Sequence, residues 1–204
     1  MRLLLASLLF FLSLPAYSQT QTYVKVHFLY GSKPAKGYET VEKKWFGGTW
    51  GGHVGIEVDS NKIISFIPKG KFHWFSRQQH KHSIFIVHST YDFYAILGGN
   101  PDSVKGAVVY ILVTIEQKQR LDSIATAYLA HTPYDYAFLG MRCGAATYDI
   151  LSQLGILPRY SHDHTARKIF YPRKLRRRLF RRAQTEGWLI ERQEGSARRI
   201  WEKD

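Results

Sequence analysis

The chain predicts an α+β fold, an antiparallel β-sheet packed against helices. Three observations carry this. Short runs of β-type residues, several with period-two alternation, fill the stretch up to Thr114. Segments with helical period follow it. Asp59-Ser60-Asn61, lying between two of the runs, is a tight turn of the kind that joins antiparallel neighbours.

The first eighteen residues, MRLLLASLLFFLSLPAYS, read as a secretory signal. Arg2 is its charged start, Leu3 to Leu14 its apolar stretch, and Ala16-Tyr17-Ser18 its small-residue cleavage site. The apolar run is too short to span a membrane, and no second one follows. No cysteine follows it to take a lipid anchor. Residues 19–204, 186 in number (204 − 18), then form one domain long enough to bury a sizeable core.

Tyr23 to Phe28 alternates as a half-buried strand. The loop from Gly31 to Gly52 carries Trp45, Phe46 and Trp50 around Gly47-Gly48, aromatics that could wall a groove or cover the core. Further strands are expected at His53 to Val58, Ile63 to Ile67, Phe72 to Phe75, Ile84 to His88 and Val108 to Thr114. Thr114 caps a helix, with Gln117 closing a capping box, and Leu121, Ile124, Tyr128 and Leu129 form its buried face. Pro133 ends it. A second helix starts close to Cys143 and runs to Leu154, terminated by Gly155. A third opens near Pro172, a favourable first-turn proline, and runs through Ala183. Trp188 to Glu191 is a final short strand. There is no internal repeat.

The formal net charge is +13, or +12 once Arg2 is removed with the signal. Nine Lys or Arg residues and no Asp or Glu lie between Arg167 and Arg182. Such a run is either a solvated helix face or a contact for a polyanion. An exported chain points to anionic envelope material, met by Arg173, Lys174, Arg176, Arg177, Arg178, Arg181 and Arg182, and away from nucleic acid.

Cys143 is the only cysteine, which excludes an internal disulfide and a cysteine-rich metal site. An unpaired thiol in an oxidising compartment is a liability unless buried or used. In the first turn of a helix, Cys143 gains the stabilisation that free N–H groups give a thiolate, and Arg142 beside it adds positive charge. Gly144 and Ala145 let other groups approach. These are the needs of a nucleophile, although a small buried hydrophobe also fits a lone cysteine.

A nucleophile needs a base. His53 opens a β-run directly after Gly51-Gly52, so its ring stands at the sheet edge, with Gly55 leaving room beside it. His80 and His82 lie in a polar turn, while His27 and His88 lie on strands. His162-Asp163-His164, in a loop, is a weak metal signal.

Residues 53–65, HVGIEVDSNKIIS, resemble the histidine hairpin of NlpC/P60 domains, roughly HVGIYVGNGKMIHA. Thr132-Pro133-Tyr134, then Cys143-Gly144, then Gly155-Ile156-Leu157-Pro158-Arg159, are similar to that family's PYxWGG, DCSG and GIxLPR segments. Here the histidine hairpin precedes the cysteine segment. That order resembles the circularly permuted branch of the papain-like superfamily, which includes YiiX-like and lecithin:retinol acyltransferase-like proteins.

The resemblance implies Cys143 as nucleophile, His53 as general base, and Tyr134 as the tyrosine near the oxyanion. It puts Ser65 at the third position, which orients the histidine. The family usually has His there; a serine hydroxyl can fix the tautomer but supplies no charge. Glu57 shares a strand face with His53 but lies about 13 Å away by strand rise, so it is a surface charge or a groove wall. His73 is another group that could reach in. Trp45, Trp50, Glu57 and Arg142 are candidate groove residues; Arg142 stands where the family has Asp.

The implied activity is that of an exported thiol hydrolase acting through a thioester on a cell-wall peptide amide, with no cofactor and no metal. Two alternatives stand beside it: a lipid acyl hydrolase or acyltransferase using the same pair, and a non-catalytic envelope-binding module. N-terminal sequencing of the exported protein is expected to begin at Gln19; any other start contradicts the assigned cleavage site.

Overall fold

The computed structural model describes residues 21–42, 51–70, 73–76 and 82–204. The segment read above as a secretory signal, and Trp45, Phe46 and Trp50, lie outside the described residues. The fold is α+β. Strands β1 (Thr22–Leu29), β3 (His53–Asp59), β4 (Lys62–Pro68), β5 (Ser83–His88), β6 (Gly106–Val113) and β7 (Leu189–Gln193) form one sheet in the order β5-β4-β3-β1-β6-β7. Every neighbouring pair in it is antiparallel. A two-stranded ribbon pairs β2 (Ser32–Pro34) with β8 (Arg199–Trp201).

Alternation along the strands gives the sheet two buried faces. Val24, Val26 and Phe28 of β1, Val54 and Ile56 of β3, Ile64 and Phe66 of β4, and Val109 and Ile111 of β6 enter the main core. Three helices cover that face: α2 (Ile115–Ala130), α3 (Cys143–Gln153) and α5 (Pro172–Glu186). The opposite face carries a smaller cluster of Leu29, Ile63 and Val104 under Phe93 and Tyr94 of helix α1 (Thr90–Ala95).

Local chemistry sets the element ends. Thr114 and Gln117 make the reciprocal capping box of α2. Asn61, at φ 61°, turns the β3–β4 hairpin in a conformation that asparagine tolerates better than most residues. Gly187 closes α5 in the left-handed conformation.

Several expectations need correction. Residues 73–76 form no strand; His73 makes an isolated bridge to Ala137, and Trp74 and Phe75 are 64% and 67% exposed. His162-Asp163-His164 is not loop but the start of helix α4 (His162–Lys168), capped by Ser161. The two histidines diverge there, His162 toward Asp149 and Tyr134, and His164 toward Tyr160.

Arg176 is not part of a solvated basic face. It has no exposed surface. Its Nη1 donates to Glu202 Oε1 at 2.7 Å, its Nε to Asp204 Oδ1 at 3.1 Å, and its guanidinium lies 3.6 Å from the Tyr30 ring centre. Helix register explains this, since Arg176 falls on the buried stripe with Pro172, Leu175, Leu179, Phe180 and Ala183. Among the other cations of the run, Lys174, Arg177 and Arg181 are exposed, and Arg173, Arg178 and Arg182 half-buried.

Removing one partner of a buried pair leaves the other charge desolvated, which costs about 3–5 kcal/mol. Arg176→Ala is therefore expected to lose about that much in a urea titration, while Arg181→Ala stays within about 0.5 kcal/mol of wild type. Equal effects would contradict a buried pair at Arg176.

Candidate active site

Helix α3 begins at Cys143, with Arg142 as an extended N-cap that makes no side-chain capping bond. The sulfur therefore sits where the helix has free N–H groups. Gly144 N–H and Val54 N–H donate to Sγ, as does the Tyr136 hydroxyl. The Tyr136 oxygen in turn accepts the Cys143 N–H. The cradle thus joins the start of α3, the start of β3 and the segment between α2 and α3.

Cys143 is only 3% exposed. Burial raises its pKa above the ordinary thiol value, and the nearby Arg142 charge and the three donors offset this only in part. The lowered pKa expected of a thiol at a helix start is not seen, because desolvation outweighs the helix end.

His53 opens β3 just after Gly52, whose φ is +25°. A Cβ at Gly52 would stand 2.6 Å from the Leu29 carbonyl oxygen, so glycine is required where the chain enters the strand. The His53 ring is 6% exposed and packs 5.5 Å from Phe93 of α1. Burial, helped by the like charge of His88, lowers its pKa to about 3. Its Nε2 is buried and has no hydrogen-bond partner among the described residues.

The sulfur thus meets the backbone beside His53, and not its imidazole. The His53 Cα is two covalent bonds from the Val54 nitrogen, which places it about 6 Å from the sulfur. The imidazole itself packs against Phe93, on the other face of the strand from Val54.

The remaining assigned residues are dispersed. Ser65 is buried opposite Gly55, and its hydroxyl bonds His88 Nε2 at 3.0 Å, from the neighbouring strand. Burial lowers the pKa of His88, with Asp92 opposing. Tyr134 packs between Phe66 and His162, and its buried hydroxyl has no hydrogen-bond partner among the described residues. Tyr136, two residues on, is the tyrosine that touches Cys143.

Glu57 is a paired, half-buried carboxylate and not a free surface charge. It binds His27 Nε2 at 3.0 Å and Lys25 Nζ at 2.8 Å. The His27 bond first, and Lys25 after it, hold its pKa below the usual carboxylate value against an opposing effect of burial. The His73 ring packs against His82 at a tilt of 54°, with ring centres 4.0 Å apart. Arg142 is half-buried, with its guanidinium 4.0 Å from the Phe170 ring centre, 4.9 Å from Tyr171 and 5.4 Å from Phe138.

Sequence reasoning missed Tyr136, His88 and the aromatic box around Arg142. The irregular path of residues 131–142 gives no period from which Tyr136 could be placed. His88 was visible only as a strand-end histidine. The box pairs residues about thirty positions apart.

Scans against protein-family models, curated proteins and solved structures return no match for this chain. Among the described residues, no helix is long and apolar enough to cross a membrane.

A histidine kept neutral by burial takes up its proton on unfolding at pH values below about 6.5, whereas the folded protein takes it up only near pH 3. Stability contributed by His53 is thus complete above pH 6.5 and is lost as pH falls toward 3, at about 1.4 kcal/mol per pH unit. In His53→Gln that part of the slope should vanish from denaturant titrations between pH 6 and pH 4. An unchanged slope would contradict a neutral, buried His53.

Proposed function

We propose that the protein is an exported cysteine hydrolase that attacks an amide carbonyl, in a cell-wall peptide, through Cys143. The observation that carries this is the set of donors on Sγ, namely the Gly144 and Val54 amides and the Tyr136 hydroxyl, with His53 one residue from the second of them.

The chemistry follows from these positions. In the empty site the thiol and the imidazole are both neutral. His53 turns from Phe93, takes the Cys143 proton on Nε2, and the sulfur adds to the carbonyl carbon. Amide donors that held the sulfur lie beside the oxygen as it gains charge. The amine leaves with the proton from His53, a thioester remains on Cys143, and water activated by the same imidazole releases the acid. The Ser65–His88 pair occupies the place where the resemblance puts an orienting residue. Export rests on the leading apolar segment, and the permuted NlpC/P60-like architecture on the order of the two motifs.

One observation favours a non-catalytic binding module, namely the near-complete burial of the thiol. Acylation by p-nitrophenyl acetate separates the two readings. The expected result is one acetyl group on Cys143 by peptide mass mapping, absent in Cys143→Ala and at least about 100-fold slower in His53→Ala. A folded protein that is not acetylated at Cys143, or is acetylated equally fast without His53, would sink the proposal and favour the binding module. Cleavage of muropeptides, as against release of fatty acid from phospholipid, then identifies the acyl class.

A further inference from the structure

The residue before Cys143 is a cation held on three rings. Arg142 is clamped by Phe138, Phe170 and Tyr171, and its Nη2 is buried with no hydrogen-bond partner among the described residues. A shielded guanidinium N–H without an acceptor costs free energy, and native proteins seldom leave one so. Rings fix the plane of the fork but accept no hydrogen bond along its N–H directions.

A second feature adjoins it. A groove of about 720 Å³ runs between the end of α4 and the outer side of α5. Lys168, Lys174, Arg177, Arg178, Arg181 and Arg182 line it, and among the described residues no acidic one does. Ile169, also in its lining, reaches the first turn of α3, since a Cβ placed on Gly144 would lie 3.4 Å from Ile169 Cγ2. The cationic groove and the boxed arginine therefore flank the same turn that carries the thiol.

We infer that Arg142 is the anion-reading residue of this site, and that the acyl substrate carries a carboxylate next to the carbonyl that Cys143 attacks. The inference rests on Cys143 being the nucleophile and adds the substrate's charge to it. A planar guanidinium pairs with a carboxylate through two parallel hydrogen bonds, which fixes orientation as well as position. The groove raises the local concentration of anions and steers them toward the first turn of α3.

Two alkylating reagents of nearly equal size test this, iodoacetate and its neutral amide. In both, Sγ forms a bond to the methylene carbon, iodide leaves, and the thiol proton passes to solvent. The readout is the rate ratio of iodoacetate to iodoacetamide on Cys143, normalised to the same ratio on 2-mercaptoethanol. A charge-assisted hydrogen bond corresponds to a preference of about tenfold or more for iodoacetate. That preference should fall to about one in Arg142→Gln, survive in part in Arg142→Lys, and shrink with added salt in the wild type.

A normalised ratio near one in the wild type overturns the anion preference while leaving the nucleophile intact. Failure of both reagents on the folded protein sinks the nucleophile reading, and this inference with it. N-acetylglutamate should slow iodoacetamide alkylation of the wild type but not of Arg142→Gln. Protection by glycerol phosphate alone would overturn the carboxylate assignment in favour of a phosphate ester. The salt dependence needs only wild-type protein, so the inference stays falsifiable even where a variant fails to fold.

Discussion

The buried Arg176 guanidinium ties together parts of the chain that would otherwise be joined only by packing. It comes from α5, stacks on Tyr30 just past the end of β1, and binds Glu202 and Asp204 at the C-terminus. Glu202 also reaches the other side of the sheet edge, since its N–H donates to the Gly31 carbonyl and its Oε1 lies against the position of Gly52. Gly52 is the residue before His53. One ion pair therefore fixes the last residues of the chain under the start of β3, and with them the backbone from which His53 and Val54 project. The desolvation of these charges is offset by several hydrogen bonds and by the Tyr30 ring, the condition under which a buried ion pair is tolerated.

From that fixed start, alternation along β3 divides the site between two faces. Val54 and Ile56 point into the core under α3, and His53 packs on the α1 side with Phe93. A thiol on α3 meets such a strand through backbone amide first. This is why Val54 N–H, and not the imidazole, holds the sulfur. Gly55 keeps the α1 side tight, since a Cβ there would stand 2.9 Å from Phe93 Cε2 and closer still to Ile63. Pairing with β4 starts only at Gly55, so His53 and Val54 are held by β1 alone.

Where local chemistry decided the structure, the sequence could be read. The capping box at Thr114, the Asp59–Asn61 turn, the start of α3 at Cys143 and the terminating Gly155 all follow from interactions within a few residues. Helices α1 and α4 escaped because six and seven residues are too few to show a period, and each is held by a serine cap and tertiary contact. Phe72 to Phe75 misled because its apolar residues imitate a strand, yet Trp74 and Phe75 face solvent. The case of Arg176 differs. Its place on the Leu175, Leu179, Phe180 and Ala183 stripe was legible, but its partners stand 26 and 28 residues away. At the candidate site the pairing of Ser65 with His88 and the identity of the tyrosine at Cys143 are long-range facts, and no local pattern encodes them.

The electrostatics of the thiol reduce to a contest between burial and four sources of stabilisation for the thiolate, and burial wins. On the proposed chemistry this outcome has a consequence. A resting thiolate–imidazolium pair would need water or an orienting carboxylate, and Ser65 provides neither charge nor, while bonded to His88, a free hydroxyl. Keeping both groups neutral avoids that cost and protects the thiol from oxidation, since the thiolate is the reactive form. The proton then moves only when a carbonyl is present to receive the sulfur's electrons. Negative charge appears on the oxygen at that moment, beside the amides of Gly144 and Val54 and near a guanidinium that its aromatic box has already oriented. The box makes that cation's field available without reorganisation during the step, which is the condition under which a fixed charge lowers a barrier most.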